Sequence, residues 1–196
     1  MGIPPAEFKA DMRDIDHITT DDLDELVELH GKYLNYGEGI RPHFEQMLKK
    51  DSTIALKYVI DGKIAGLVIY VEGIYFSGGH EDLCGRVREL TKGELTYTGD
   101  ALLVKKEYRH MGITKALYTR LCAELRQKGV KYTVNELWVH PDGRVPAHNV
   151  LDSFGEKQFL GHFGNFYKDF YHYGYVCPIC GKDCVCSAMV YLCKVK

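Results

Sequence analysis

A chain of 196 residues, 45% of them apolar, is long enough to bury one substantial core and too short for several domains of ordinary size. Its 25 Lys and Arg against 27 Asp and Glu leave a formal net charge of -2, so no overall basic field points to nucleic acid or an anionic membrane surface as a partner. No stretch approaches the roughly 20 apolar residues that span a bilayer.

The opening MGIPPAEFKADMRDIDH lacks a basic region followed by an apolar run, so a cytoplasmic address is expected. Met1-Gly2 resembles the start of a myristoylation signal, but Ala6 stands where that signal takes Ser or Thr. Residues 15–18 form a short strand candidate. Thr20 then precedes a helical segment in which Leu23, Leu26, Leu29 and Leu34 recur at nearly helical spacing, with acids in its first turn opposing the helix dipole. A second helix is expected over residues 41–50.

Residues 53–60 and 63–71 are rich in β-branched and aromatic side chains, and Asp61-Gly62 between them is a two-residue hairpin turn. Residues 78–93 read as a helix or loop, and residues 94–104 as a strand ending in an apolar run. Residues 112–128 make an amphipathic helix stopped by Gly129, and residues 131–139 another strand. Residues 147–154 look like a short helix closed by Gly155. Phe159, Phe163, Phe166 and Phe170 recur at helical intervals, which suggests a buried face, an acceptor-site wall or a dimer contact. The tail, about residues 171–196, is expected as a Cys-rich hairpin whose two strands flank the turn CPICGKDC.

The stretch LLVKKEYRHMGITKAL, from Leu102 to Leu117, carries the chemistry. It reads as an apolar strand, a short basic turn, a glycine and an amphipathic helix. Backbone N–H groups at a helix start lack internal partners and sit at the positive end of its dipole, so they can receive a pyrophosphate. Gly112 lets such an anion approach the main chain, and Arg109, His110 and Lys115 add positive charge around the same turn. The preceding strand can pair its backbone with an extended, amide-bearing ligand such as pantetheine.

This segment resembles the acetyl-CoA-binding motif of the GNAT superfamily, written R/Q-x-x-G-x-G/A after a strand ending L-x-V. Leu102, Val104, Arg109 and Gly112 match, whereas Thr114 stands where the family has Gly or Ala and Lys106 where Pro is common. The element order resembles the family's over nearly the whole chain. What the resemblance implies is a single α+β domain over residues 1–196, of the three-layer type, with a mixed, mostly antiparallel sheet flanked by helices. It further implies direct transfer of an acetyl group from acetyl-CoA to a primary amine of a small molecule or peptide, with Leu102, Leu103, Val104, Arg109, His110, Met111, Gly112, Ile113, Thr114 and Lys115 holding the co-substrate. The alternative is a non-catalytic module that senses acyl-CoA or contacts a protein.

After Val139 the likeness thins. Arg144 falls at the family's Asn and Leu151 at its Tyr, with Asn149 a substitute cofactor contact if the loop shifts. Transfer to an amine requires a base for the amine and an acid for the departing thiolate. Glu136 and Asp100 resemble the positions from which the family deploys a carboxylate. Tyr171 is the candidate acid, with Tyr167 and Tyr173 beside it. Of seven cysteines, Cys84 and Cys122 are isolated and the other five crowd the C-terminal tail. Cys177, Cys180, Cys184 and Cys186 form a pattern whose first half resembles a zinc knuckle, and the open readings are a structural zinc ion, unligated thiols, or redox or acyl-relay chemistry.

Overall fold

The computed structural model describes residues 10–147 and 149–196, so Met1, Gly2 and Ala6 of the opening segment lie outside the described residues. Strand β1 (Ile15–His17) leads to a 3-10 turn, Thr20–Asp22, whose cap is Thr19 rather than Thr20. The Thr19 amide donates to Asp22 Oδ2 at 2.8 Å, half of a reciprocal capping box that sets the entry to α1 (Leu23–Tyr33). Helix α2 (Ile40–Leu48) packs beside it.

Strands β2 (Ile54–Ile60) and β3 (Lys63–Glu72) form the expected hairpin. Its turn residues Asp61 and Gly62 both have positive φ, 51° and 73°, the backbone that Asp-Gly favours and that matches strand twist. Helix α3 (Glu81–Thr91), β4 (Thr96–Val104), α4 (Ile113–Gln127) and β5 (Tyr132–Val139) follow within a few residues of their sequence expectations.

Three expectations for the C-terminal third are corrected. Among the described residues of the segment 147–154, the regular element is a 3-10 turn, Val150–Ser153, in place of the expected helix. Phe159 and Phe163 lie not on a helix but on β6 (Lys157–Phe163), because that segment pairs antiparallel with β7 (Ser187–Lys194), and the long-range ladder overrides the local spacing. The tail supplies one strand rather than two. Its partners are β5 and β6, and the Cys-rich turn lies in the connection before β7, carrying only an isolated Cys177–Gly181 bridge.

The sheet order is β1-β2-β3-β4-β5-β7-β6, with β4 and β5 parallel and the other neighbouring pairs antiparallel. On one face α4 packs Leu117, Leu121 and Leu125 against Leu56, Val68 and Tyr70. Each such leucine, fully buried, contributes about 1.5–3 kcal/mol relative to an exposed one. On the other face α1 and α2 cover Ala55, Leu67 and Leu103, while α3 and the β6–β7 connection cover Val134, Val190 and Leu192. The result is the expected three-layer α+β arrangement.

Candidate active site

Strands β4 and β5 pair only from Thr96–Tyr132 to Thr98–Val134, and then part. At the point of parting β4 also carries a bulge. Ile69 and Tyr70 of β3 oppose Ala101 and Gly99, leaving Asp100 as the extra residue. A bulge bends its strand and re-aims one side chain, and here it turns β4 away from β5. The backbone of residues 101–104 keeps β3 on one side and has no β5 partner on the other.

A cavity occupies the gap. Its walls include Gly99 to Leu102 from β4 and Asn135 to Trp138 from β5. Tyr70, Tyr118 and Val150 reach it from the α4 face of the sheet, and Tyr167, Phe170, Cys177 and Cys184 from the opposite face. The cavity therefore passes between the parted strands from one face of the sheet to the other.

Glu136 and Asp100 both line it. Burial pushes the Glu136 carboxyl up to about 7, against the opposing effect of two hydrogen bonds from Ser77, whose hydroxyl and amide both donate to it; the charge of Asp100 adds to the rise. Asp100 in turn accepts from the Tyr75 hydroxyl at 3.2 Å and contacts His43 Nε2 at 3.0 Å. Burial alone would lower His43, but the hydrogen bond and charge of Asp100 raise it above its ordinary value. A carboxyl pushed by burial up to about 7 can accept a proton from a neighbouring group near neutral pH.

At the far end of β4, Arg109 Nε donates to the Val104 carbonyl, and His110 (φ 65°) and Gly112 (φ 84°) turn the chain into α4. Ala116 is the first residue of α4 to donate inside the helix, to Gly112 O at 3.0 Å. The amides of Ile113, Thr114 and Lys115 precede it and have no intrahelical acceptor. Ile113 is buried and pins this helix start to the sheet, while Met111 is half-buried and Arg109, His110 and Lys115 are exposed around the turn. Leu102 reaches the cavity and Leu103 packs into the α1–α2 side of the core.

Other candidates lie elsewhere. Tyr171 is 44% exposed, its hydroxyl accepts from Lys182 Nζ at 2.9 Å, and it is not among the cavity residues. The phenols that do line the cavity are Tyr70, Tyr118 and Tyr167. Asn149 is exposed ahead of the 3-10 turn and makes no side-chain cap, Arg144 pairs with Asp142 on the surface, and Leu151 is core.

Ser77, Tyr118 and Trp138 are site residues that sequence reasoning missed. They come from a loop, a helix and a strand, and no local spacing links them. The four tail cysteines do converge: their sulfurs all lie within 4.8 Å of one another, with Cys177, Cys184 and Cys186 buried.

A family model, Acetyltransferase (GNAT) family, matches residues 18–155. NAA60 of Arabidopsis thaliana, solved with acetyl-CoA, superposes with a TM-score of 0.64 at 15% identity over 92% of this chain and 97% of that one. The ribosomal-protein-S18-alanine N-acetyltransferase of Escherichia coli gives 0.60 at 16% identity over 93% of each chain. An aminoglycoside 6'-N-acetyltransferase complexed with coenzyme A gives 0.58 at 13% over 93% and 97%. No curated protein sequence matches the chain. At these identities the structural likeness speaks for the fold, and the matched family model, which spans most of the chain, carries the assignment: the protein belongs to the GNAT acetyltransferase family.

Proposed function

We propose that the protein transfers an acetyl group from acetyl-CoA to a primary amine of a small molecule or peptide. The observation that carries this reading is the pair of carboxyl groups, Asp100 and Glu136, lining a cavity between strands that part beside a helix start with free amides. Acetyl-CoA supplies an activated thioester. The amides of residues 113–115, with Arg109, His110 and Lys115, suit its pyrophosphate, and the unpaired edge of residues 101–104 suits its extended amide-bearing arm. The structural neighbours solved with acetyl-CoA or coenzyme A support that choice of co-substrate.

In this mechanism Glu136 accepts the proton that the acceptor amine must lose before its nitrogen attacks the thioester carbonyl. Asp100, held by His43 and Tyr75, positions the ammonium ahead of that step. As the carbon–sulfur bond breaks, the thiolate takes a proton from Tyr118, which shares helix α4 with the pyrophosphate turn and lines the cavity from the same face. Burial raises the Tyr118 phenol above its ordinary value, so it stays protonated until called upon.

Amine-dependent release of the coenzyme A thiol tests the reading, with a panel of primary amines and peptides supplied with acetyl-CoA. Turnover abolished by Glu136→Gln supports it. Tight acetyl-CoA binding with no thiol release across the panel favours the non-catalytic sensor instead.

A second reading concerns the tail. The convergence of four sulfurs supports a structural zinc ion held by Cys177, Cys180, Cys184 and Cys186. The recorded contacts Cys177–Cys186 at 3.9 Å and Cys180–Cys186 at 3.5 Å lie close to the ~3.8 Å edge of a tetrahedron with ~2.3 Å zinc–sulfur bonds, far from the ~2.05 Å of a disulfide. Elemental analysis of the purified chain for one zinc per molecule is its test.

A further inference from the structure

The cysteine cluster does not sit apart from the active site. Cys177, Pro178 and Cys184 are themselves cavity-lining residues, alongside Tyr167 and Phe170 from the same β6–β7 connection. Tyr167, Phe170, Cys177 and Cys184 approach from the face of the sheet opposite α4, the side left for the acceptor when the co-substrate lies along α4.

That connection, residues 164–186, has little regular structure to hold it. It contains a 3-10 turn at Phe170–Tyr173 and two isolated bridges, Tyr36–Val176 and Cys177–Gly181. Its other main-chain ties are single bonds, such as Phe166 N to Cys186 O at 3.0 Å and Gly39 N to Gly174 O at 3.1 Å; side chains anchor its first residues, with Phe166 stacked on His80, whose Nε2 contacts the Phe166 carbonyl at 2.9 Å. A connection of this length without its own sheet or helix is uncommon in a compact domain, and a bound metal is one way to hold such a segment in one conformation. The four thiols all fall within residues 177–186 and so tie the turn to the residue that immediately precedes β7.

One more side chain joins the cluster to the cavity. Trp138 lines the cavity from β5 and packs against the buried cluster that includes Cys177, Cys184 and Cys186.

We infer that the metal held by these cysteines is a clamp that builds the acceptor-side wall of the cavity, leaving the acetyl-CoA side independent of it. The inference rests on the zinc reading. It predicts two halves of one site that respond differently to the same treatment. Losing the ion frees residues 164–186 and with them Tyr167, Phe170, Cys177 and Cys184, whereas residues 102–117 are held by β3 and by the packing of α4.

The experiment uses the full chain, purified under reducing conditions, before and after removal of metal by excess chelator and again after Zn²⁺ is restored. Hydrogen exchange reads both halves, calorimetry reads acetyl-CoA binding, and the chain's single tryptophan, Trp138, reports the junction by its emission. Zinc removal should speed exchange across 164–186 at least tenfold and shift Trp138 emission to the red. Acetyl-CoA affinity should stay within twofold, and Zn²⁺ should reverse every change. Replacing the partly exposed ligand, Cys180→Ser, should give the same pattern in milder form. One zinc per chain with unchanged exchange at 164–186 after its removal would overturn the clamp while leaving the metal site standing. Loss of acetyl-CoA binding together with the wall would also overturn it, since the ion would then hold the whole fold. A chain purified without any bound metal removes the zinc reading and the clamp together.

Discussion

Asp100 and Glu136 stand at register-equivalent positions, each two residues beyond Thr98 and Val134, the last partners on β4 and β5. Had the parallel ladder continued, they would be neighbours in it, two carboxyl groups side by side. Because the strands part, the ladder gives way to a cavity into which both residues project. The Glu136 carboxyl is raised first by burial and further by the charge of Asp100.

Glu136 should therefore set the pH dependence of turnover. A base works only when deprotonated, so kcat/KM should climb tenfold per pH unit on the acid side and level off above about 7, the value to which burial pushes this carboxyl. Glu136→Gln should lower kcat by about 100-fold or more and remove that limb. A wild-type profile that stays flat between pH 5.5 and 8.5 would exclude Glu136 as the base.

The same residue should cost stability. Its folded value, about 7, lies above the ordinary 4.5, so the folded protein holds a proton that the unfolded chain has lost. Stability from this group is complete below the unfolded value and falls as pH rises through the folded one. The shift corresponds to about 3 kcal/mol as an upper bound, reduced by water in the cavity. Glu136→Gln should therefore raise the melting temperature at pH 8 and change it little at pH 4.5. An equal effect at both values would mean that the carboxyl is not strained by burial.

Much of this was legible in the sequence where the signal is local. Asp61-Gly62 fixed its hairpin because two positive-φ residues match the strand twist, and Gly112 marked the turn into α4 for the same backbone reason. What could not be read is long-range. The phenylalanines at 159 and 163 follow a helical interval, yet pairing with β7 makes them strand residues. The parting of β4 from β5 depends on a bulge opposite Tyr70 of β3, which no pattern within β4 discloses. Tyr118 points into the cavity from the middle of an amphipathic helix, where its spacing reads only as core.

Tyr118 and Tyr171 give opposite expectations. Tyr118→Phe removes the hydroxyl of a cavity-lining residue on α4, one that stands 3.5 Å from the Tyr70 hydroxyl, and should lower kcat tenfold or more, with acetyl-CoA affinity unchanged. Tyr171→Phe removes only a surface hydroxyl bonded to Lys182 and should leave kcat within twofold. The reverse ranking would return the acid role to Tyr171 and place the reacting sulfur elsewhere.

Gly112 and Gly62 allow the co-substrate turn to be tested apart from backbone strain. Both have positive φ, 84° and 73°, so an alanine at either meets a similar conformational cost of about 1–2 kcal/mol. They differ in place. Gly62 caps an exposed hairpin with nothing within 4 Å of an added Cβ, whereas Gly112 precedes the free amides of Ile113, Thr114 and Lys115. Gly112→Ala should weaken acetyl-CoA binding tenfold or more in calorimetry, and Gly62→Ala should leave it within twofold while lowering the melting temperature by a comparable amount. Equal affinity in the two variants would mean that the strain is all that Gly112 relieves, and that the pyrophosphate is received somewhere other than the start of α4.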